Sequence, residues 1–441
     1  MGTYCRSVLA ASSRPTVVRF EASRLGLLDL LRLGAAFAVV AYHYTAFRHP
    51  GFGVSVDRVF PTVGVVTGLG ALGVQLFFLI SGFVILMSLW DRSIHDFTAS
   101  RIARLFPAYW LAVLSTGALM VLFQPEVLTE QYGWEASVSQ LFANLTMVQE
   151  ALAVQPMDGV YWTLFVELKF YVAVGLLSLF GLTRGRVIAF AVFWPLLGEL
   201  ASTADAPLAS ALLGGRHAAF FSAGMLIYLL HREGHSPIVW LLLGMQWAVA
   251  MKHSGTDLVS VINNNTGRDF QPTTVMIVVS LCFVLVLVAT LTRLRDVSAR
   301  WMALAGGLTY PLYLIHENWG WVIISATHER IGQLCALGLA ILLSLLAAAM
   351  IHVFVERPLT PRLRRVIRMG LQDLQEPRPQ IGQPTQERLD ERTALEVHVS
   401  HGQSAVRPKP ETVPPSSPPD SLPETTVGRL PCVTAATPRR Q

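Results

Sequence analysis

Charge is scarce in this chain of 441 residues: Asp, Glu, Lys and Arg make up 14% of it, against 52% hydrophobic residues. A soluble globular protein carries about 25% charged residues. The depletion, with a mean hydropathy of +0.48, therefore points to lipid as the solvent. Cysteine is equally sparse. Cys5, Cys282, Cys335 and Cys432 form no CxxC pair; two lie inside apolar runs and two near the ends, so they are read as incidental, and no metal site is expected. The net charge of +5 comes without a basic stripe interleaved with aromatics, so no nucleic-acid partner is expected. A cleavable signal is not evident either: the first apolar run contains Asp29 and Arg32, and no small-residue cleavage site follows it.

What the chain does have is apolar runs long enough to cross about 30 Å of hydrocarbon at about 20 residues each. The pattern predicts an all-α integral membrane protein of about ten spans, at residues 27–47, 69–90, 106–123, 161–182, 187–202, 208–230, 237–251, 273–294, 301–326 and 332–355. The fifth to seventh are interrupted by Trp194-Pro195 and by Gly214-Gly215-Arg216-His217, breaks that neighbouring helices can satisfy. Orientation follows from basic residues in the loops. With the N-terminus inside, the cytoplasmic segments hold eighteen Lys and Arg against five outside (Arg48, Arg58, Lys252, Arg268 and Arg330). Both termini are then cytoplasmic. The longest outer loop, 124–160, is acidic.

Three regions result: a cytoplasmic N-terminal segment 1–26, a membrane domain 27–361, and a basic juxtamembrane stretch with a disordered cytoplasmic tail, 362–441. "RLRRVIR" at 362–368 could lie on anionic headgroups. Beyond about Gln372 the chain is rich in Pro, Gln, Glu, Ser and Thr, a composition that does not bury enough apolar surface to fold.

Against this background, ionisable residues inside the spans stand out, because they are costly in lipid and usually face a protein interior or a reactant. Arg32 and His43 bracket the small-residue run "LGAAFAVVAY". Eleven residues turn a helix about 1,100°, three turns plus roughly 20°, and rise about 16 Å. The two therefore share a face, lining a wet seam, although two interfacial anchors satisfy the same spacing. In "YWTLFVELKFY", Glu167 lies about 9 Å below the outer end of its span, a depth like that of His43, which suggests a general base with its carboxylate; a structural ion pair is the plainer alternative. Arg101 and Arg104 in "RIARLFPAYW" share a helix face and could clamp phosphates, or serve only as positive-inside residues. In "LTYPLYLIHEN", Tyr313 and His316 share a face, with Glu317 one turn beyond Tyr313. "QLFFLISGFVI" adds the Ser81-Gly82 break, which by itself signals close packing.

In order and spacing these stretches resemble acyltransferase family 3, membrane proteins that O-acylate sugars, surface polysaccharides and some lipids or antibiotics. Asp29, Arg32 and His43 fit its D-x-x-R-x(10)-H opening, "FFLISGF" its second-span pattern, and "RIARLFPAYW" its R-x-x-R-x-x-P-x-x-W segment. "WTLFVELKFY" fits W-[ST]-L-x-x-E-x-x-F-Y, and "FFSAGMLIY" a later F-x-x-G-x-x-x-Y element. "TYPLYLIHE" fits S-Y-x-x-Y-L-x-H with Thr309 in place of Ser, and "VERP" the closing E-[KR]-P. The resemblance covers residues 27–361.

It implies transfer of an acyl group, by default acetyl, from cytoplasmic acyl-CoA to a hydroxyl across the membrane. Acyl-CoA is a donor substrate, with no bound cofactor, and the acceptor is a carbohydrate, a lipid-linked sugar or a macrolide-like molecule. Arg32, Arg101 and Arg104 would hold the CoA phosphates. His43 would be the general base or carry the acyl group transiently, and Glu167 would set its tautomer and balance its charge. Ser81, Trp162, Tyr313 and His316 would contact substrate. The implied location is the inner or plasma membrane. Many relatives carry a further hydrolase-like domain; with a disordered tail instead, transfer would be completed in the membrane domain or with a partner. The alternative class is a proton-coupled transporter or flippase, which also places charges near the midplane of such a bundle.

Overall fold

The structure, a computed structural model, describes residues 25–373. Nearly all of the N-terminal segment and most of the expected tail lie outside them. Within these bounds every regular element is helical. The main helices are α1 (Gly26–Thr45), α2 (Gly73–Leu89), α3 (Ile94–Ala118), α4 (Trp162–Leu179), α5 (Arg184–Thr203), α6 (Gly215–Glu233), α7 (Pro237–His253), α8 (Pro272–Leu291), α9 (Arg300–Ile331), α10 (Gln333–Ile351) and α11 (Arg357–Asp373). Seven stretches, those containing α1 to α5, α8 and α10, are long and apolar enough to cross a membrane. Each remaining expected span also contains a helix. α6 carries His217, His231 and Arg232, α9 carries His316, Glu317 and Asn318, and α7 is only 17 residues long.

Three boundaries differ from the apolar runs. The third helix begins at Ile94, twelve residues before its apolar stretch, because the Ser93 hydroxyl accepts the Asp96 N–H and caps it. Its first turns are amphipathic rather than apolar, and they carry Arg101 and Arg104. The expected sixth span is split at Gly214, whose φ of 60° ends a short helix, Pro207–Leu213, and starts α6; a left-handed residue cannot continue an α-helix. Beyond residue 355 the chain stays helical as α11, which packs along α3. There Arg368 Nε lies 3.0 Å from Asp96 Oδ1, while Arg362, Arg364 and Arg365 are exposed.

Small residues set the closest helix contacts. Ala35 and Ala36 of α1 are buried, and Gly73 at the start of α2 sits against the Ala35 carbonyl. α2 and α6 meet at Gly82 and Gly224. A Cβ on Gly82 would collide with the Phe221 carbonyl, and one on Gly224 with the Leu79 carbonyl. The Ser-Gly break is thus the place where two backbones touch. Close approach of this kind is how helices associate where lipid removes the hydrophobic drive. α9 packs on α1 and α10, and together with α2, α3 and α4 it encloses the chemistry-bearing residues.

The long loop 124–160, expected to lie outside, is built rather than loose. It contains helices Glu126–Tyr132 and Val138–Asn144, the second opened by a Ser137/Gln140 capping box. The buried Asn144 ties the second of these helices to the end of the loop: its amide donates to the Gln155 carbonyl at 3.0 Å, and its Oδ1 accepts from Met157 N at 2.9 Å. Tyr109 and Trp110 of α3 donate to the carbonyls of Asn144 and Leu145.

Candidate active site

Five helix faces converge on a cavity of about 380 Å³. From α2 come Val74, Phe77, Phe78, Ser81 and Val84; from α4 Thr163, Leu164, Glu167 and Tyr171; from α9 Gly306, Thr309, Tyr310 and Tyr313. Their spacings of three and four place each set on one stripe. α1 adds Asp29 and Arg32, and α3 adds Arg101 and Arg104. Arg104 is exposed, whereas Arg32 and Arg101 are half-buried. One end of the cavity is therefore a cluster of three guanidiniums.

Glu167 lies on the wall of this cavity. Its Oε1 accepts hydrogen bonds from Ser81 Oγ at 2.7 Å and Tyr171 OH at 2.5 Å. Tyr171 and Glu167 line the same cavity as Arg32 and Arg101. The expectation that Glu167 orients His43 is corrected by this placement. Glu167, Thr163 and Tyr171 are four residues apart along α4 and share the stripe that faces the arginines.

Trp162 is also placed elsewhere. Five residues before Glu167, it sits about 140° around the helix, off the cavity lining, with its ring 5.4 Å from that of His217 and 6.4 Å from that of Phe78.

His43 lies beyond the opposite end. There the Tyr313 hydroxyl meets Thr163 Oγ1 at 2.9 Å, and its ring abuts Phe77 edge-on at 5.7 Å. Behind Tyr313 is His316, with ring centroids 5.8 Å apart, and behind His316 is His43, at 5.0 Å. The bonding pattern fixes both tautomers. His316 Nδ1 faces two carbonyls, Tyr313 O at 2.9 Å and Leu312 O at 3.2 Å, so it carries the hydrogen. In a neutral ring His316 Nε2 is then an acceptor, and it takes the N–H of His43 Nδ1, 3.0 Å away. That leaves the lone pair of His43 on Nε2. The frame around the pair is rigid: Trp321 Nε1 donates to the His43 carbonyl at 3.0 Å, and Tyr44 OH donates to the His316 carbonyl at 2.6 Å.

The carboxyl that His43 Nε2 faces belongs to Glu317, with Oε2 at 3.6 Å. Glu317 is 3% exposed and hydrogen-bonds Asp158, which is fully buried where the loop 124–160 enters α4. Asp158 accepts from Val160 N at 3.2 Å and from Asn318 N at 3.3 Å. Sequence reasoning gave Glu317 only as a neighbour of Tyr313 and missed Asp158 as a site residue. The available signal was the tripeptide His316-Glu317-Asn318, three polar side chains in a row on an otherwise apolar helix.

A family model described as an acyltransferase domain matches residues 26–353. Over 165 residues the chain is 35% identical to nodulation protein 10 of Rhizobium leguminosarum bv. viciae, covering 34% of this chain and 43% of the relative. It is 33% identical over 164 residues to the exopolysaccharide production protein ExoZ of Rhizobium meliloti (strain 1021), covering 36% and 46%. It is 28% identical over 149 residues to the acyltransferase MdmB of Streptomyces mycarofaciens, covering 34% and 38%. The aligned region thus spans less than half the length of each of these relatives. No solved structure matches the chain.

Proposed function

This chain belongs to acyltransferase family 3, and on that premise we propose that it is a membrane O-acyltransferase that moves an acyl group, acetyl by preference, from cytoplasmic acyl-CoA to a hydroxyl of a carbohydrate, glycolipid or related acceptor. In this reading it has ten spans in the cell membrane with both termini in the cytoplasm. The name of one relative, for exopolysaccharide production, supports an acceptor of this class, and that of another, an acyltransferase, supports the reaction.

The observation that carries the reading is a lone-pair nitrogen, His43 Nε2, held by His316 next to a cavity whose other end is three arginines. Arg32, Arg101 and Arg104 bind the CoA phosphates by charge-assisted, fork-shaped hydrogen bonds. Glu167, with Ser81 and Tyr171, keeps the cavity wall and its guanidiniums in place. The pantetheine arm then runs along the apolar faces of α2 and α4 toward Tyr313. For the thioester to meet His43, the Tyr313–Thr163 hydrogen bond opens.

The acceptor hydroxyl gives its proton to His43 Nε2 as its oxygen attacks the thioester carbonyl carbon. The C–S bond breaks, and the CoA thiolate takes the proton back from the imidazolium. The products are acylated acceptor, free CoA and the starting form of His43. His316 serves as the orienting residue, the part that a carboxylate plays for many catalytic histidines.

The test is chemical. Membranes containing the protein should consume radiolabelled acetyl-CoA, and surface glycans from cells with the gene should carry an added acyl mass that cells without it lack. Solute movement in vesicles without any acyl donor, with no consumption of acetyl-CoA, would contradict the assignment.

A further inference from the structure

Asp158 and Glu317 form a buried carboxyl pair that the transfer reaction, as described, does not use. The two groups hydrogen-bond each other, and a Cβ on the intervening Gly159 would strike Glu317 Oε1, so glycine at that position permits the contact. Two carboxyl groups can hydrogen-bond only if one of them supplies a proton. Asp158 accepts the N–H groups of Val160 and Asn318, donors that favour the ionised form, whereas Glu317 shares only that of Val160 and its Oε2 has no hydrogen-bond partner among the described residues. The charge therefore resides on Asp158 and the proton on Glu317. Burial acts the other way, raising the Asp158 carboxyl to about 7, and the hydrogen bonds from Val160, Asn318 and Glu317 oppose it.

The other titratable groups that face the pair are one histidine, a neutral ring before transfer begins, and five tyrosines. They are His43, Tyr42 and Tyr44 from α1, Tyr132 from the loop 124–160, Tyr161 just after it, and Tyr313 from α9. Among the described residues, no lysine or arginine pairs with either carboxyl. A single negative charge in such a place has one partner within reach, the ring of His43, 3.6 Å from Glu317.

We propose that Asp158 and Glu317 share one proton and hold one negative charge, and that this charge stabilises the imidazolium that forms on His43 during acyl transfer. Glu317 touches the reacting ring; Asp158 is a positioning residue that acts through it. The shared proton stays in the pair throughout, so the proton balance of the transfer is unchanged. The inference rests on His43 acting as the base.

The test compares acetyl-CoA consumption, in native membranes and across pH, for the parent protein, Glu317→Gln, and the double variant Asp158→Asn/Glu317→Gln. A glutamine amide imitates the protonated half of the pair, so Glu317→Gln keeps the charge on Asp158. It should lose less in kcat than the double variant, since the charge that favours the imidazolium is still present. The double variant is isosteric but uncharged. It should lose at least about tenfold in kcat, the low end of the tenfold to thousandfold by which a nearby opposite charge favours the charged form. Its KM for acetyl-CoA should be unchanged, and the acid limb of its pH profile should move to lower pH. Should the double variant not accumulate, infrared spectroscopy of the parent decides: a protonated-carboxyl band, sensitive to deuterium and absent from Glu317→Gln, is expected. Parent-like kcat and acid limb in the double variant, a Glu317→Gln enzyme as impaired as the double, or no protonated-carboxyl band overturns the proposal. A fully active His43→Ala protein would instead overturn the transfer mechanism on which it rests.

Discussion

His43 Nδ1 lies 3.0 Å from His316 Nε2, a contact between side chains 273 residues apart that joins the first helix of the bundle to the ninth. It gives each ring one defined hydrogen and leaves one nitrogen of His43 free. Replacing His316 by alanine removes the acceptor and frees the imidazole to rotate and change tautomer. The expected result is a loss of about 10²-fold in kcat, toward the low end of what a positioned acid–base group contributes, with little change in KM for acetyl-CoA. Steady-state kinetics in membranes checks this.

The arginine cluster makes the opposite split. Arg101→Ala and Arg104→Ala should each raise KM for acetyl-CoA by about tenfold or more, as expected for a charged hydrogen bond of about 1.5–3 kcal/mol, while kcat changes little. The exposed Arg104 should show the steeper dependence on salt, because ionic screening acts on accessible charges first. Dephospho-CoA thioesters and simple pantetheine thioesters provide the matching truncations of the donor.

His49, just outside the first span, gives a pH-dependent effect on stability. Its Nδ1 accepts the Gly51 N–H at 3.1 Å, its ring stacks on Trp321, and burial lowers its titration to about 4. A histidine lowered in the folded state takes up its proton more readily when unfolded. The stability it contributes is therefore complete above about 6.5 and declines as pH falls from there toward 4. Melting temperatures of detergent-solubilised protein should drop across this window, and His49→Asn should flatten that part of the curve.

The α2–α6 contact predicts a packing failure. Gly82→Val places branched carbon against the Phe221 carbonyl. Such overpacking costs about 1–3 kcal/mol, occasionally more, and a main-chain obstacle cannot rotate away. The variant should melt several degrees lower or accumulate poorly, with no change in KM for whatever protein is recovered.

Much of this arrangement was legible in the sequence. Helical spacing placed Arg32 on the face that leads to His43, put Arg101 and Arg104 on one stripe, and joined Tyr313 to His316, because a period of 3.6 is a local property. The partner of His43 was not legible. Depth along a span ranked Glu167 as the neighbouring carboxylate, but depth says nothing about rotation, and α4 turns Glu167 toward Ser81 and the arginines. Trp162 failed for the same reason, being about 140° from that stripe. The pairing of Glu317 with Asp158 depends on how the loop 124–160 folds back between α3 and α9. Asn144 and the N–H groups of Val160 and Asn318 fix that fold, and no periodic pattern encodes it.

The most direct test of the whole account is the rate of acetyl transfer from labelled acetyl-CoA by His43→Ala in membranes where its abundance equals that of the parent protein. A loss of about 10²- to 10⁴-fold in kcat, the contribution of a positioned general base, is expected, with the KM for acetyl-CoA close to that of the parent. Full transfer activity in His43→Ala would contradict it.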